Sequence, residues 1–83
     1  MNIIIAPTAK KGLKKLPKDI AEIILRKLYS IKDNPMGNIE RLKGSPLWKL
    51  RVGTYRAIMM IDTGKSNINV IKVGHRRDIY KRL

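Results

Sequence analysis

The sequence predicts an α+β fold: an N-terminal strand, then a helical hairpin packed on a small antiparallel sheet, in the order β-α-α-β-β-β. Helix-period apolar residues are confined to positions 9–31, where Ala9, Leu13, Leu16, Ile20, Ile24, Leu28 and Ile31 recur three or four residues apart. Beyond position 46 the pattern changes to strand-type alternation and short apolar runs, separated by glycine-centred turns. The chain has 83 residues with no repeat or linker, so a single domain with a thin core is expected over 1–83.

Each element has its own reason. "NIIIA" (2–6) is a short β-prone run, ended by Pro7 and Thr8, and Thr8 is a candidate helix cap. The first helix carries Ala9, Leu13 and Leu16 on one face and Lys10, Lys11, Lys14 and Lys15 on the others. Gly12 weakens it by roughly 1 kcal/mol relative to alanine, and Pro17 ends it. A longer helix from about 18 to 32 buries Ile20, Ile24, Leu28 and Ile31, a stripe widened by Ile23. Asp19 and Glu22 near its start and Lys32 near its end suit the macrodipole, and "DNPMG" stops it. "LWKLRV" (47–52) sends Trp48, Leu50 and Val52 to one face and Lys49 and Arg51 to the other. "YRAIMMI" (55–61) reads as a central strand buried on both faces, with Met59 and Met60 as core packing. "DTGKSN" is a turn, "INVIKV" (68–73) is the last strand, Gly74 breaks it, and "HRRDIYKRL" is a short basic tail.

Composition narrows the function. The net charge is +13, from 19 basic and 6 acidic residues. Such an excess is self-repelling, and a polyanion, nucleic acid first, is the simplest reason to carry it. There is no cysteine and one histidine, which excludes disulfides and thiolate zinc sites and leaves little for any metal. No run of about 18 apolar residues is present, so a cytoplasmic protein with no membrane segment is expected.

The cations of the strands carry the chemistry. Lys49 and Arg51 leave one face, and Arg56 opens the next strand just past the "VGT" turn. In a meander the end of the third strand returns beside the start of the second, so Arg76, Arg77 and Tyr80 approach Arg56. The expectation is one cation cluster with a phenol beside it and no matching acids, awaiting a phosphate. General nucleic-acid binding and phosphodiester catalysis both fit it. The lysines of the first helix read as a solvated face, with attraction of a polyanion as the alternative. Trp48 reads as a sheet anchor under a helix, with base stacking as the alternative. His75 reads as structural or exposed, with proton transfer as the alternative.

The segments "RLKGSPLWKLRVGTYRAIMMI" and "VIKVGHRRDIYKRL" resemble the RelE/ParE superfamily of toxin–antitoxin toxins, on the RelE side. The matching pieces are Leu42 and Gly44, the basic strand, "GTYR", the "VGHR" strand end and the closing tyrosine. The resemblance implies a ribosome-dependent endoribonuclease that cuts mRNA in the ribosomal A site without metal or cofactor. Carried over residue by residue, it marks Lys49, Arg51, Arg56, Arg76 and Tyr80 as the catalytic set. His75 is the candidate for proton transfer, and Lys43, Arg77, Lys81 and Arg82 for RNA binding. Arg51 stands where better-known members carry lysine, and arginine cannot readily serve as a base. The implied partners are a RelB-like antitoxin and a 70S-type ribosome with its mRNA. The toxin alone would be a monomer, and with antitoxin a hetero-oligomer. Two other readings remain: a ParE-like inhibitor of DNA gyrase, and a non-catalytic basic RNA-binding module.

Overall fold

A computed structural model describes residues 1–80. The elements run β1 (Asn2–Ile5), α1 (Pro7–Lys14), α2 (Lys18–Ser30), a 3₁₀ turn (Pro35–Gly37), β2 (Glu40–Arg41), β3 (Trp48–Val52), β4 (Tyr55–Asp62) and β5 (Asn67–His75). The five strands form one sheet in the order β1-β5-β4-β3-β2. The α+β class and the order of the main elements are as expected.

The sheet is mixed rather than purely antiparallel. β1 lies parallel to β5, with Ile3 opposite Ile68 and Ile5 opposite Val70. The connection from β1 to β5, the helical hairpin followed by β2, β3 and β4, supplies the long crossover that parallel pairing requires. β2 was not anticipated: two residues are too short to show any alternation. β5 runs through Gly74 to His75 instead of breaking there, because Arg56 and Tyr55 of β4 pair with both. Ile58 and Met59 flank a register shift, where β5 carries one extra residue.

Both helices cover one face of the sheet. Ala9 and Leu13 of α1 and Ile24, Leu28 and Ile31 around α2 pack on Leu50, Ala57, Met59, Ile68, Val70 and Val73. Fully burying one such side chain is worth about 1.5–3 kcal/mol. Trp48 packs at the edge of this core, as expected of a sheet anchor, and the Arg41 guanidinium lies 5.3 Å from its ring centre. Ile23 is not part of the buried stripe, being 47% exposed, and Met60 is 43% exposed while Met59 is fully buried. Adjacent strand residues face opposite ways, so the two methionines cannot share one core.

α1 starts at Pro7, in the first helical position, after Ala6. Thr8 therefore lies inside the first turn and caps nothing. Where β1 ends, α1 lies directly on the outer edge of β5. A Cβ on Gly12 would run into the Val73 carbonyl oxygen. The glycine that weakens the helix is the one that lets it reach the strand.

Candidate functional site

The open face of the sheet is built by the side chains that alternate away from the helices. Register places Arg51 of β3 opposite Arg56 of β4, and Arg56 opposite Gly74 of β5. One row further along, Lys49 lies opposite Ile58, and Ile58 opposite Lys72. Directly opposed side chains in a sheet stand about 4.5–5.5 Å apart at Cβ, and like charges there destabilise. Gly74 leaves the row beyond Arg56 flat.

The hairpin between β3 and β4 holds this end of the face. Gly53 takes φ +61°, which glycine adopts without strain. Arg56 is buried, at 6% exposure, and its Nη1 donates to Gly53 O at 2.9 Å and to Tyr55 O at 2.8 Å. The side chain lies along the turn and locks it. The Arg51 side chain is exposed.

The C-terminal turn is docked on the same end. The Arg76 N–H donates to Thr54 O at 2.8 Å, and the Asp78 and Ile79 N–H groups both donate to His75 O. Ile79 is buried, its Cδ1 3.6 Å from where a Gly74 Cβ would stand. This pins Tyr80 over the open face, with its ring centre 6.0 Å from Lys49 Nζ. Lys49, Arg51 and Arg56 therefore share the open face, Tyr80 lies over Lys49, and the Arg76 backbone is held at the β3–β4 turn.

Lys49 has a matching acid, against expectation. Its Nζ lies 3.8 Å from Glu40 Oε2, across the β2–β3 pair. Glu40 escaped the sequence reading because β2 has no pattern of its own. Lys72 was also overlooked, although its alternation with Val73 could have placed it on the open face. His75 does not join the cluster. It pairs with Tyr55 on the helix side of the sheet, with ring centres 5.8 Å apart and edge-on. Its Nδ1 accepts from the Arg77 N–H at 3.1 Å. Lys43 lies in the β2–β3 loop, at the far end of β3 from the β3–β4 turn. Arg77 is exposed in the C-terminal turn. Lys81 and Arg82 lie outside the described residues.

The molecule is thus a small basic α+β protein with a cationic, nearly acid-free sheet face backed by a helical layer. The family model for the ParE toxin of the type II toxin–antitoxin system parDE matches residues 3–80. Toxin RelG of Mycobacterium tuberculosis is 31% identical over 78 residues, 90% of each chain. The chain belongs to this RelE/ParE family and is the toxin of a type II toxin–antitoxin system. Its fold is also that of the toxin in the Mycobacterium tuberculosis RelBE2 toxin–antitoxin complex, at TM-score 0.82 and 24% identity, covering 90% of this chain and 96% of that one. The RelB–RelE antitoxin–toxin complex of Methanococcus jannaschii matches with TM-score 0.75 and 26% identity, over 96% of this chain and 98% of that one. No helix among the described residues is long and apolar enough to cross a membrane.

Proposed function

We propose that this toxin is a ribosome-dependent endoribonuclease that cuts mRNA in the ribosomal A site. The observation that carries the reading is the opposed pair Arg51 and Arg56, with Lys49 one row away on the same open face. Such a row holds the two non-bridging oxygens of a phosphodiester while the rest of the strand runs across the sheet. In the reaction the 2′-oxygen bonds to phosphorus as the bond to the 5′-oxygen breaks. The 2′-OH proton passes to a base, the 5′-oxygen takes a proton, and a 2′,3′-cyclic phosphate and a 5′-OH result. Arg51 and Arg56 stabilise the charge that grows on the phosphoryl oxygens. Lys49 and Arg76 flank the positions of the entering and leaving oxygens, and Tyr80 offers a ring for a base to stack on. The side chains bring no strong general base, so the ribosome supplies the in-line geometry, an effect that can reach several kcal/mol. A RelB-like antitoxin silences the toxin in the cytoplasm, where its ribosomal target resides.

The test is the wild-type chain on ribosomes programmed with a defined mRNA, read by primer extension. A-site cleavage that needs the ribosome supports the reading; intact mRNA refutes it. The parDE description of the matching family favours one second reading, inhibition of DNA gyrase. Loss of supercoiling with intact mRNA would establish that instead.

A further inference from the structure

At the β2 rim of the sheet, on the helix side, a guanidinium is stacked on an indole. Arg41 of β2 and Trp48 of β3 are directly opposed in register, and the Arg41 Cζ lies over the ring, 5.3 Å from its centre. Trp48 is partly buried against the core, whereas Arg41 is exposed. The loop between the two strands holds the guanidinium in place, because Arg41 Nε donates to Ser45 O at 3.1 Å. That loop is bonded to itself. The Leu42 N–H donates to Leu47 O at 2.9 Å and the Ser45 N–H to Leu42 O at 3.1 Å, while the Leu47 N–H donates to Ser45 Oγ at 3.0 Å. The neighbouring acid, Glu40, leaves the opposite face of the sheet and meets Lys49. Arg41 thus shows solvent a flat cationic surface with the indole behind it, and Lys43 is exposed in the same loop.

We propose that this stack is a second RNA contact, a platform on which one unpaired nucleobase lies against the Arg41 guanidinium. The proposal rests on the reading of the chain as a toxin that acts on RNA at the ribosome. The platform faces away from Arg51, Arg56 and Tyr80, so the base it takes belongs to a nucleotide other than those at the scissile phosphate. Unpaired bases are recognised by stacking on aromatic rings and guanidinium planes, and here one such plane is already fixed by a ring and a carbonyl. A base that joins it immobilises little of the protein, which keeps the cost of binding low. An acidic peptide is the worse occupant. A carboxylate seeks the in-plane N–H fork of arginine, and the Nε edge of that fork is already given to Ser45. A structural staple over Trp48 needs only a cation, which lysine would supply; the plane is what arginine adds.

Trp48 is the one tryptophan of the chain, so its emission reports this site. The experiment titrates the full-length toxin with single-stranded RNA of about six nucleotides, and with an oligomer of the same backbone and charge that carries no bases. In wild type the RNA should quench Trp48 and bind roughly five- to fiftyfold more tightly than the baseless oligomer. Arg41→Lys keeps the charge and removes the plane. It should abolish most of the quenching and weaken the RNA roughly fivefold or more, while the baseless oligomer changes less than about twofold. Tyr80→Ala removes the ring over the open face and should leave the quenching intact. Arg41 is exposed, so its variant folds, which circular dichroism checks, and the wild-type comparison decides without it. Unquenched Trp48 at saturating RNA, or equal loss of both oligomers in Arg41→Lys, overturns the proposal, because Arg41 would then serve only charge or the loop. Cosedimentation with ribosomes that carry or lack mRNA names the source of the base. Weaker retention of Arg41→Lys on both assigns it to ribosomal RNA, and weaker retention only where mRNA is present assigns it to the message. Unchanged retention on both also overturns the proposal. Absence of cleavage by the wild-type chain counts against the nuclease reading alone, and the oligomers still decide the platform.

Discussion

In the proposed reaction Arg56 divides its guanidinium between the fold and the anion. Nη1 is spent on the carbonyls of Gly53 and Tyr55, while the buried side chain faces the row it shares with Arg51. Arg56→Ala should therefore cost about 1–3 kcal/mol of stability through the carbonyls it leaves unpaired, besides about 10²–10³ in cleavage rate. Arg76 differs. Its anchor is the backbone N–H, which Arg76→Ala keeps, and its side chain is exposed. That variant should lose cleavage to a similar degree with stability within about 0.5 kcal/mol of wild type. Urea denaturation and ribosome cleavage measure both; equal stability of the two variants would show that the turn does not depend on Arg56. Glu40 makes a finer case. Its carboxylate competes with phosphate for Lys49, in a partly exposed pair worth about 0–1 kcal/mol. Glu40→Gln should thus tighten binding of single-stranded RNA by up to about fivefold, as seen by fluorescence anisotropy at low salt. Weaker binding would mean that Glu40 orients Lys49 for the RNA rather than competing for it.

Among the elements, α1 carries the sharpest reversal of sign. Judged by propensity alone, Gly12→Ala should stabilise the helix by about 1 kcal/mol. Against β5 it must push the helix away from the Val73 carbonyl, and overpacking of this kind costs typically about 1–3 kcal/mol. The variant should therefore be less stable than wild type in urea denaturation, and a gain in stability would show that α1 is free to shift. The conflict between local propensity and tertiary contact also explains what the sequence leaves hidden. Strands β3, β4 and β5 were legible because alternation and turn glycines are local signals. With them came the shared face of Lys49, Arg51 and Arg56, since the two-residue turn between β3 and β4 fixes one register. β2 was illegible because Glu40 and Arg41 have no pattern and exist as a strand only by pairing with Lys49 and Trp48. The ion pair of Lys49 vanished with it. The parallel pairing of β1 with β5 joins residues more than sixty positions apart, and nothing local encodes it. Counting by twos along "GHRR" could have put His75 with Val73 rather than with Arg56, had the strand been carried through Gly74.

At the scale of the whole molecule the charge decides how partners arrive. Cations occupy two separate surfaces: Lys10, Lys11 and Lys14 of α1 and Lys15 just past its end are all exposed, and Arg51 lies with Lys49 on the open sheet face. With six acids against 19 basic residues in the chain, both surfaces keep an excess of positive charge. The field therefore reaches well beyond contact distance at low salt and is cut to a Debye length of about 10 Å at 0.1 M. We expect an acidic antitoxin to be drawn in by that field before any specific contact forms, and its departure to depend on apolar contacts that salt does not screen. Raising the salt from about 0.05 to 0.5 M should lower the association rate of toxin with its antitoxin roughly tenfold or more. The dissociation rate should change much less. Stopped-flow mixing of the purified partners reads both rates. An association rate indifferent to salt would mean that the charge serves the ribosome alone; a dissociation rate that rises as steeply as association falls would mean that the complex is held by exposed ion pairs, with no apolar anchor beneath them.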